Sequence, residues 1–365
     1  MFPGEQSDTR SEVRALWVVR TTLVEPEKIV GLVDRACRFG FNTLIVQVRG
    51  RGDSFYKSNK EPRAESLAGK TEDFDPLALV LELAKSRGIA VYAWLNVHFT
   101  WNEPQLPSSP EHIMNAHPDW IARNSRNQIG RCPTPELEGS YTCPSHPDVQ
   151  SHLLGLYVDV ARHYDIDGVH LDFVRYPNEK FCFCDGCLKR FYSSLTQVLE
   201  DRSPRNRSQL LAYARDHKLD MNNWRRKQIT DLVVLIYQEV KKIKPKADVT
   251  AAVFANLEDA YEHRFQDWEG WVSDGILDAL CPMAYVKQTR PFGVKIREAV
   301  RIANGCPVWA GIGAWRMRAT SAVAKIKVAR QLGSVGIILF SYDSMTDDGT
   351  NDTYLRYIQE HAFAD

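Results

Sequence analysis

Eight short apolar segments, rich in β-branched and aromatic residues, alternate along this chain with amphipathic segments. Their apolar runs are nearly continuous, which is typical of strands that are buried on both faces of a parallel sheet. Strands that alternate with helices indicate βαβ units, in which successive strands run parallel. The predicted strands cover residues 14–20, 41–50, 88–99, 167–177, 248–256, 276–286, 307–314 and 334–344.

The amphipathic segments between these strands carry helix boundary signals. The first has Pro26 near its start and Gly40 at its end, which favours a helix that begins and stops at those points. The second has Asp75 as a predicted N-cap and Gly88 as its C-terminal stop. The predicted helices cover residues 26–40, 75–88, 148–164, 224–243, 291–304, 321–332 and 351–362.

Eight such units in a chain of 365 residues predict a single (β/α)₈ barrel, with residues 1–12 as an N-terminal extension. A doubly wound open sheet is the alternative, but no glycine-rich dinucleotide loop follows the first strand. Two connections, at about 99–147 and 178–223, are far longer than usual and follow the third and fourth strands. In a barrel the carboxyl ends of the strands carry the active site, so we expect function in these long loops.

The fourth strand, "DGVHLDFVRYP" at 167–177, combines apolar residues with charged ones. If the barrel is formed, Asp172, Arg175 and Tyr176 lie where this strand leaves it and point into a cleft. A buried carboxylate is costly unless it is paired or used in chemistry. The structural alternative is therefore an ion pair between Asp172 and Arg175 or another base at a strand end.

Other strand ends repeat this pattern of polar and aromatic residues. Because the carboxyl ends of all eight strands meet at one rim, these side chains are predicted to form a polar, aromatic cleft that carries acids. The candidates are Arg49 and Asp53 after the second strand, Asn96, His98 and Trp101 after the third, Tyr285 after the sixth, Trp315 after the seventh, and Tyr342 and Asp343 at the eighth.

Carboxylates among aromatic side chains suit glycoside hydrolysis, in which one acid protonates the leaving oxygen and a second attacks or activates water. The sequence has no GxSxG elbow, no HExxH motif and no Lys at a strand end for a Schiff base. We expect Asp172 to be the general acid, with Asp53 or Asp343 in the second role. A 2-acetamido group of the substrate is an alternative to the second carboxylate.

In this hypothesis, Arg49, Asn96 and Arg175 hold sugar hydroxyls or a carboxylate substituent, and Tyr285 and Trp315 form the walls of the cleft. His98, Trp101, Tyr176 and Tyr342 are further candidates for substrate binding. A barrel that binds carbohydrate without cleaving it is the alternative function. A carbohydrate substrate is the partner that either function implies.

The charge balance argues against a nucleic-acid partner. Lys and Arg number 46 and Asp and Glu number 46, so the formal net charge is zero, whereas phosphate-backbone binders usually have a basic excess. The short basic runs at 224–227 and 241–246 are interpreted as solvated helix faces. No apolar run is long enough to span a bilayer, and the first residues contain no apolar core of a signal peptide.

Eight cysteines divide into two groups. Cys37, Cys281 and Cys306 are predicted to be small core residues. The other five lie in the two long connections, and "FCFCDGCLKRF" supplies Cys182, Cys184 and Cys187 with a spacing that suits thiolates on one metal. A structural zinc needs a fourth ligand, which Cys143 or Cys132 would provide. Disulfides, for instance between Cys132 and Cys143, are the alternative.

A metal with four thiolate ligands has no open position, so we expect it to clamp the loops and not to act in catalysis. Hydrolysis by a catalytic zinc would instead need His or Asp ligands and a free coordination site.

Several motifs resemble the glycosyl hydrolase-like 10 family of bacterial barrels. They are "LIVQVRGRGDSFYKS", "AWLNVHF", "DGVHLDFVRYP", "QDWEGWVSDGILDALCPMAY" and "ILFSYDS", in that order, and the likeness extends from about residue 12 to 362. The resemblance implies a glycosidase acting on bacterial or other amino-sugar glycans, including peptidoglycan strands without peptides, and commonly an exported protein. Where some members carry an Asp pair, this chain has Asp172 followed by Phe173, so the resemblance assigns no second carboxylate. The cysteine cluster resembles the zinc site of family 42 β-galactosidases.

Overall fold

The computed structural model describes residues 12–131, 133–195 and 206–364. Eight parallel strands form a closed barrel, which confirms the predicted (β/α)₈ fold. In chain order the strands of the described residues are β1 (Val13–Val18), β2 (Thr43–Arg49), β3 (Ala90–Asn96), β4 (Phe99–Trp101), β5 (Ser140–Tyr141), β6 (Gly168–Asp172), β7 (Asp248–Phe254), β8 (Ala279–Met283), β9 (Trp309–Gly313) and β10 (Gly336–Phe340). The short antiparallel pair β4 and β5 lies outside the barrel.

α-Helices surround the barrel. Those of the described residues are α1 (Pro26–Arg38), α2 (Pro76–Lys85), α3 (Ile113–Ala116), α4 (Pro147–His163), α5 (Asp185–Leu195), α6 (Arg207–Asp216), α7 (Lys218–Ile243), α8 (Trp268–Ser273), α9 (Thr289–Ala303), α10 (Ala319–Gln331), α11 (Tyr342–Thr346) and α12 (Thr353–Ile358). None of them is long and apolar enough to cross a membrane.

The predicted helix boundaries hold where a cap fixes them. Asp75 accepts a hydrogen bond from the backbone N–H of Ala78 at 3.0 Å, as an N-cap does. Gly40 and Gly88 follow α1 and α2 with φ of 77° and 66°. A side chain is disfavoured in this left-handed region, so glycine ends both helices there.

Several predicted boundaries were wrong. The eighth strand was expected to reach residue 344, but the chain enters α11 at Tyr342 because Ser341 and Ser344 form a capping box. The long connection after the fourth barrel strand contains α5 and α6, and α7 begins at Lys218 and not at 224. Four of the first six residues of α7 are polar, so the apolar periodicity there is weak.

The basic run at 224–227 was also misinterpreted. Arg225 and Arg226 are buried, at 2% and 7% exposure, and are not on a solvated face. Among the predicted core cysteines, Cys281 is buried inside the barrel, whereas Cys306 is half-buried and Cys37 is exposed. Cys37 follows the buried Ala36 in α1, and adjacent residues of a helix point about 100° apart.

One seam of the barrel has fewer backbone hydrogen bonds than its neighbours. Between β8 and β9, Leu280 N–H donates to the Pro307 carbonyl and Ala284 N–H donates to the Gly311 carbonyl. Alternate residues donate along a parallel strand, so the donor midway between Leu280 and Ala284 would be residue 282. Pro282 has no N–H to donate to the carbonyl of Trp309. The regular parallel pairing is therefore interrupted at this point.

A series of side-chain hydrogen bonds crosses the barrel interior. The indole N–H of Trp17 donates to Nε2 of His170 at 3.1 Å, and Nδ1 of His170 lies 2.8 Å from the hydroxyl of Thr250. Because an indole only donates, Nε2 must accept, so the proton is on Nδ1. Burial lowers the pKa of His170 to about 3, and the ring is therefore neutral at ordinary pH.

Because the ring of His170 is buried and neutral, we expect the protein to lose stability in mild acid. Below pH 6.5 the unfolded chain binds a proton at His170 and the folded protein does not, so acid favours unfolding. Between pH 6.5 and 5, this residue should remove about 2 kcal/mol of unfolding free energy. Urea unfolding of His170→Gln should show a correspondingly weaker pH dependence, and the exposed His361→Gln should not. An unchanged pH slope in His170→Gln would show that the ring titrates normally.

Candidate active site

A cavity of about 360 Å³ opens at the end of the barrel where the strands finish. Of the predicted site residues, it brings together Asp172, Asn96, Arg175 and Tyr285. The full lining is Trp17, Val19, Arg20, Gln47, Trp94, Asn96, Phe99, Asn102, Glu138, Asp172, Phe173, Arg175, Ala252, Met283, Tyr285 and Phe340. It therefore contains two carboxylates together with six aromatic side chains.

Asp172 is the last residue of β6 and is 8% exposed. Burial raises its pKa to about 6, with a further contribution from Glu138, against the opposing effects of the Phe173 N–H and Arg175. The backbone N–H of Phe173 donates to Oδ1 at 2.7 Å. Phe173 has φ of 51°, a conformation that is strained for an aromatic residue and that fixes the chain where it leaves the strand.

The second carboxylate of the cavity is Glu138, which was not predicted from the sequence. It lies in the long connection just before β5, and its side chain is 41% exposed. Burial opposes its ionisation, but Arg175 and the Tyr141 hydroxyl outweigh that effect, so the pKa of Glu138 is lowered. The only sequence signal was the unusual length of this connection, which holds several other acids.

Arg175 holds Glu138 in place. Its guanidinium donates to Oε1 of Glu138 at 3.0 Å and lies over the rings of Phe173, Phe254 and Tyr141 at 4.8, 5.0 and 5.6 Å. The Tyr141 hydroxyl donates to the other oxygen, Oε2, at 3.0 Å. Arg175 thus pairs with Glu138, and the structural alternative of an ion pair between Asp172 and Arg175 is not formed. Asp172 has no ion-pair partner among the described residues.

Aromatic rings form the opposite wall. Tyr285 stacks on Phe340 at 5.6 Å between centroids and contacts Trp17 edge-on at 6.1 Å. Trp315 does not line the cavity itself, but its ring contacts Tyr285 at 4.9 Å and is 41% exposed at the rim. Trp17, which lines the wall, was not predicted because it lies inside the first strand and not at its end.

Asn96 is held on the polar side of the cavity. Its Oδ1 accepts from the indole N–H of Trp94 at 2.8 Å, and its Nδ2 donates to the carbonyl of Gly50 at 2.8 Å. Gln47 lies nearby and accepts from the guanidinium of Arg20 at 3.2 Å. The amide of Asn96 is thus rigidly oriented beside the carboxylates.

The two acids that were predicted for the second role do not line this cavity. Asp53 is buried, and its Oδ1 accepts from the backbone N–H of Arg51 at 2.9 Å within its own loop. Asp343 accepts from the backbone N–H of Val19 at 3.1 Å and from the hydroxyl of Thr22. Both carboxylates therefore order loops next to the cavity.

Arg49 and His98 are also outside the cavity lining. Arg49 is completely buried and forms a two-pronged ion pair with Glu61, at 2.8 and 2.6 Å. His98 is completely buried, its Nδ1 lies 2.9 Å from the hydroxyl of Thr142, and burial lowers its pKa to about 3. A neutral, enclosed ring of this kind does not reach a substrate in the cavity.

The other three predicted binding residues lie in the surrounding core. Trp101 packs beneath the guanidinium of Arg51 at 4.4 Å and donates its indole N–H to the Gln105 carbonyl. Tyr176 is completely buried and meets Phe265 edge-on. Tyr342 is buried in α11. These three side chains are placed for packing and not for contact with a ligand in the cavity.

The four cysteines Cys143, Cys182, Cys184 and Cys187 are brought together beside the cavity loops. The sulfurs of Cys143, Cys182 and Cys187 all lie within 4.8 Å of one another, and Cys184 Sγ is 3.7 Å from Cys143 Sγ. All four are buried and are free thiols. The backbone N–H groups of Cys184 and Cys187 point at Cys182 and Cys184 sulfurs, at 3.5 and 3.4 Å. Cys132, the other predicted ligand, lies outside the described residues.

A larger cavity, of about 1210 Å³, lies on the flank of the barrel between α2 and α4. It extends to the start of β3, on the side of the barrel where the strands begin. Its acids include Asp75, which caps α2, and Asp165, which pairs with Lys85. Because barrel enzymes use the face where strands end, the smaller cavity is the candidate site.

The ion pair of Arg49 with Glu61 should stabilise the loops beneath the site in a pH-dependent way. Burial alone would raise the pKa of Glu61, but Arg49 and His152 lower it to about 2. The pair is therefore fully stabilising above about pH 4.5, and its contribution is lost as the pH falls towards 2.

Arg49→Met should lower the unfolding free energy by about 3–5 kcal/mol at neutral pH, because it leaves a buried charge without a partner. Denaturant titration would measure this. Glu136→Gln, which breaks the exposed pair with Lys180, is the control and should change little. A loss no larger than that of the control would contradict the structural role of Arg49.

Sequence comparisons identify relatives of the chain. The family model for glycosyl hydrolase-like 10 matches residues 12–304. Glycosyl hydrolase YngK of Bacillus subtilis is 27% identical over 312 residues, which are 77% of this chain and 55% of YngK. Glycosyl hydrolase DigH of Escherichia coli K12 is 23% identical over 289 residues, which are 72% of this chain and 58% of DigH. The chain thus spans somewhat more than half the length of these curated relatives.

Solved structures share the fold at low identity. The PgaB (BpsB) glycoside hydrolase domain from Bordetella bronchiseptica superposes with a TM-score of 0.73 at 14% identity, covering 98% of this chain and all of that domain. Gan42B, a GH42 β-galactosidase from G. stearothermophilus, gives a TM-score of 0.63 at 13% identity, covering 96% of this chain and 56% of that protein. These neighbours show the fold alone, whereas the family match over residues 12–304 shows that the chain belongs to the glycosyl hydrolase-like 10 family.

Proposed function

We propose that this protein is an active glycoside hydrolase that cleaves a bacterial or amino-sugar-containing glycan by carboxylate chemistry. The observation that carries the proposal is the presence of Asp172 and Glu138 in one cavity at the mouth of the barrel, in opposite electrostatic environments. Two carboxyl groups whose pKa values are pushed apart are the usual sign of a divided acid and base role.

Asp172 is the general acid in this proposal. Its raised pKa keeps a proton on the carboxyl group in mildly acidic solution, and that proton passes to the glycosidic oxygen as the bond breaks. The absence of an ion-pair partner among the described residues leaves the group free to change its charge. An Asp172 paired with a base would instead stay ionised and could not donate.

Glu138 takes the second role, in place of Asp53 and Asp343. Its carboxylate is kept ionised by Arg175 and is therefore suited to attack the anomeric carbon or to activate water. If the substrate carries a 2-acetamido group, that group can act as the nucleophile, and Glu138 would orient it. The amide of Asn96 and the ring of Tyr285 would contact the sugar on either side.

The substrate class rests on the family resemblance and on the shape of the cavity. The aromatic wall of Tyr285, Phe340 and Trp17 offers flat apolar faces of the kind that pack against sugar rings. The exposed ring of Trp315 extends this wall at the rim. The same proposal includes export of the protein from the cytoplasm, to the compartment in which it would meet bacterial glycans.

Substitution of the two acids tests this mechanism. Asp172→Asn should lower turnover by at least about a hundredfold on a panel of defined oligosaccharides, while substrate binding survives. Glu138→Gln should cause a similar loss, and Asp53→Asn should leave turnover nearly unchanged. Because the acid must be protonated, activity of the unaltered protein should fall as the pH rises through about 6. Full activity of Asp172→Asn would show that this carboxyl group is structural and not the general acid. Binding of glycan without cleavage by the unaltered protein would favour a non-catalytic binding barrel.

We also propose that the cysteine cluster binds one zinc ion. Three buried thiols lie within 4.8 Å of one another, and the sulfur of Cys184 is 3.7 Å from that of Cys143, so the cluster can supply the four ligands of a Cys₄ site. N–H groups directed at the sulfurs are suited to thiolates. Such a site leaves no open position for substrate. Cys143 follows the loop of Glu138, and the other three follow Arg175, so the zinc would tie together the two loops that carry the catalytic pair.

Metal analysis and proteolysis test the zinc. The purified protein should contain one zinc per chain, and Cys187→Ser should contain much less. Chelation should expose the segment between β6 and α7 to protease before glycosidase activity disappears, because the metal clamps this segment and does no chemistry. A zinc content near zero, or a disulfide among these four cysteines, would contradict the proposal.

A further inference from the structure

Arg225 of α7 is a buried cation with no carboxylate beside it. It is 2% exposed, and within 12–131, 133–195 and 206–364 no carboxylate oxygen lies within ion-pair distance of its guanidinium. Its N–H groups reach only the carbonyls of Glu179 and Cys182, both at 3.4 Å, and its Nε has no hydrogen-bond partner. A buried charge without an opposite charge is costly, so this arrangement needs an explanation.

Three aromatic rings surround the guanidinium of Arg225. The guanidinium lies 4.5 Å from the ring centroid of Phe183, 5.0 Å from that of Phe265 and 5.8 Å from that of Tyr176. Such contacts favour a cation, but they carry no net negative charge. They hold the guanidinium in one orientation and leave its charge unbalanced.

The groups that can balance this charge are the cysteines. Arg225 donates to the carbonyl of Cys182 at 3.4 Å and lies over the ring of Phe183, which stands between Cys182 and Cys184 in the chain. A second arginine approaches the cluster from α5, since Arg190 lies 3.8 Å from Cys143 Sγ and 3.2 Å from the hydroxyl of Ser145. Arg190 likewise forms no ion pair with a carboxylate in the part of the chain that the structure describes. Two otherwise unpaired guanidinium groups therefore flank one thiol cluster.

We propose that Arg225 and Arg190 are the counter-cations of a tetrathiolate centre that holds a divalent metal. Four thiolates and one divalent ion leave an excess of two negative charges, which the two guanidinium groups neutralise. Protonated thiols without a metal would leave both arginines unbalanced. The inference rests on the proposed metal site, and it adds the prediction that all four cysteines are ionised and that Arg225 contributes to metal retention.

The neighbouring Arg226 provides a matched control. It is also buried, at 7% exposure, but its guanidinium donates to the Tyr261 carbonyl at 2.9 Å and to Asn223 at 2.6 Å, and it lies over the ring of Tyr261. Replacing it removes a buried arginine from the same turn of α7 without removing a charge from the cluster. An effect that both variants share therefore reflects lost stability, whereas an effect of the Arg225 substitution alone reflects the lost charge.

The experiment compares zinc transfer from the full chain to a chromogenic chelator. Arg225→Met should release zinc at least about tenfold faster than the unaltered protein, since outer groups around a metal typically change affinity by about 10–100-fold. Arg225→Lys, which keeps the charge, should lie between the two, and Arg226→Met should match the unaltered protein. Cobalt in place of zinc should show the absorption of four thiolate ligands in the unaltered protein.

The outcomes separate the inference from the zinc proposal. An unaltered protein without bound metal would refute the zinc site itself. A protein that holds its metal on four sulfurs, with equal release from Arg225→Met and Arg226→Met, would refute the charge-balance role alone. If Arg225→Met does not fold, the half-buried Arg190→Met decides, and release from it at the unaltered rate would overturn the inference.

Discussion

Closure of the parallel barrel is the constraint on which the rest of the structure depends. Because all eight strands run in one direction, every strand ends at the same rim, and residues far apart in the chain become neighbours there. Asp172, Asn96 and Tyr285 come from three different strand ends, yet all line one cavity. The same closure encloses Trp17 and His170, whose hydrogen bond connects opposite parts of the barrel wall.

The fold and the position of Asp172 in the cavity were predictable from the sequence, whereas the direction of side chains beyond the strand ends was not. Gln47 and Arg49 are two residues apart and should point the same way along a regular strand. The register shifts between them, so Gln47 lines the cavity and Arg49 turns away to meet Glu61. A similar departure follows Asp172, where the positive φ of Phe173 redirects the chain.

Glu138 illustrates a different limit of sequence analysis. Strand ends are recognised by their apolar patterns, but a residue in the middle of a long connection has no periodic neighbours to place it. Its position depends on contacts made after folding, with Arg175 and Tyr141. The cysteine cluster, by contrast, has a diagnostic spacing, so the sequence predicted that Cys182, Cys184 and Cys187 lie close together.

The interruption at Pro282 has a consequence for motion. Local opening of a structure is easiest where the fewest backbone hydrogen bonds must break. Between β8 and β9 the regular register is reduced to Met283 with Gly311, whereas the neighbouring pairs β7–β8 and β9–β10 keep five paired positions each. Met283 and Tyr285, which line the cavity, follow Pro282 directly. The aromatic side of the cavity is thus attached to the seam whose pairing is interrupted. Asp172, by contrast, ends a strand that is regularly paired with both of its neighbours. Widening of the mouth at this seam would therefore move the aromatic wall and leave Asp172 in place.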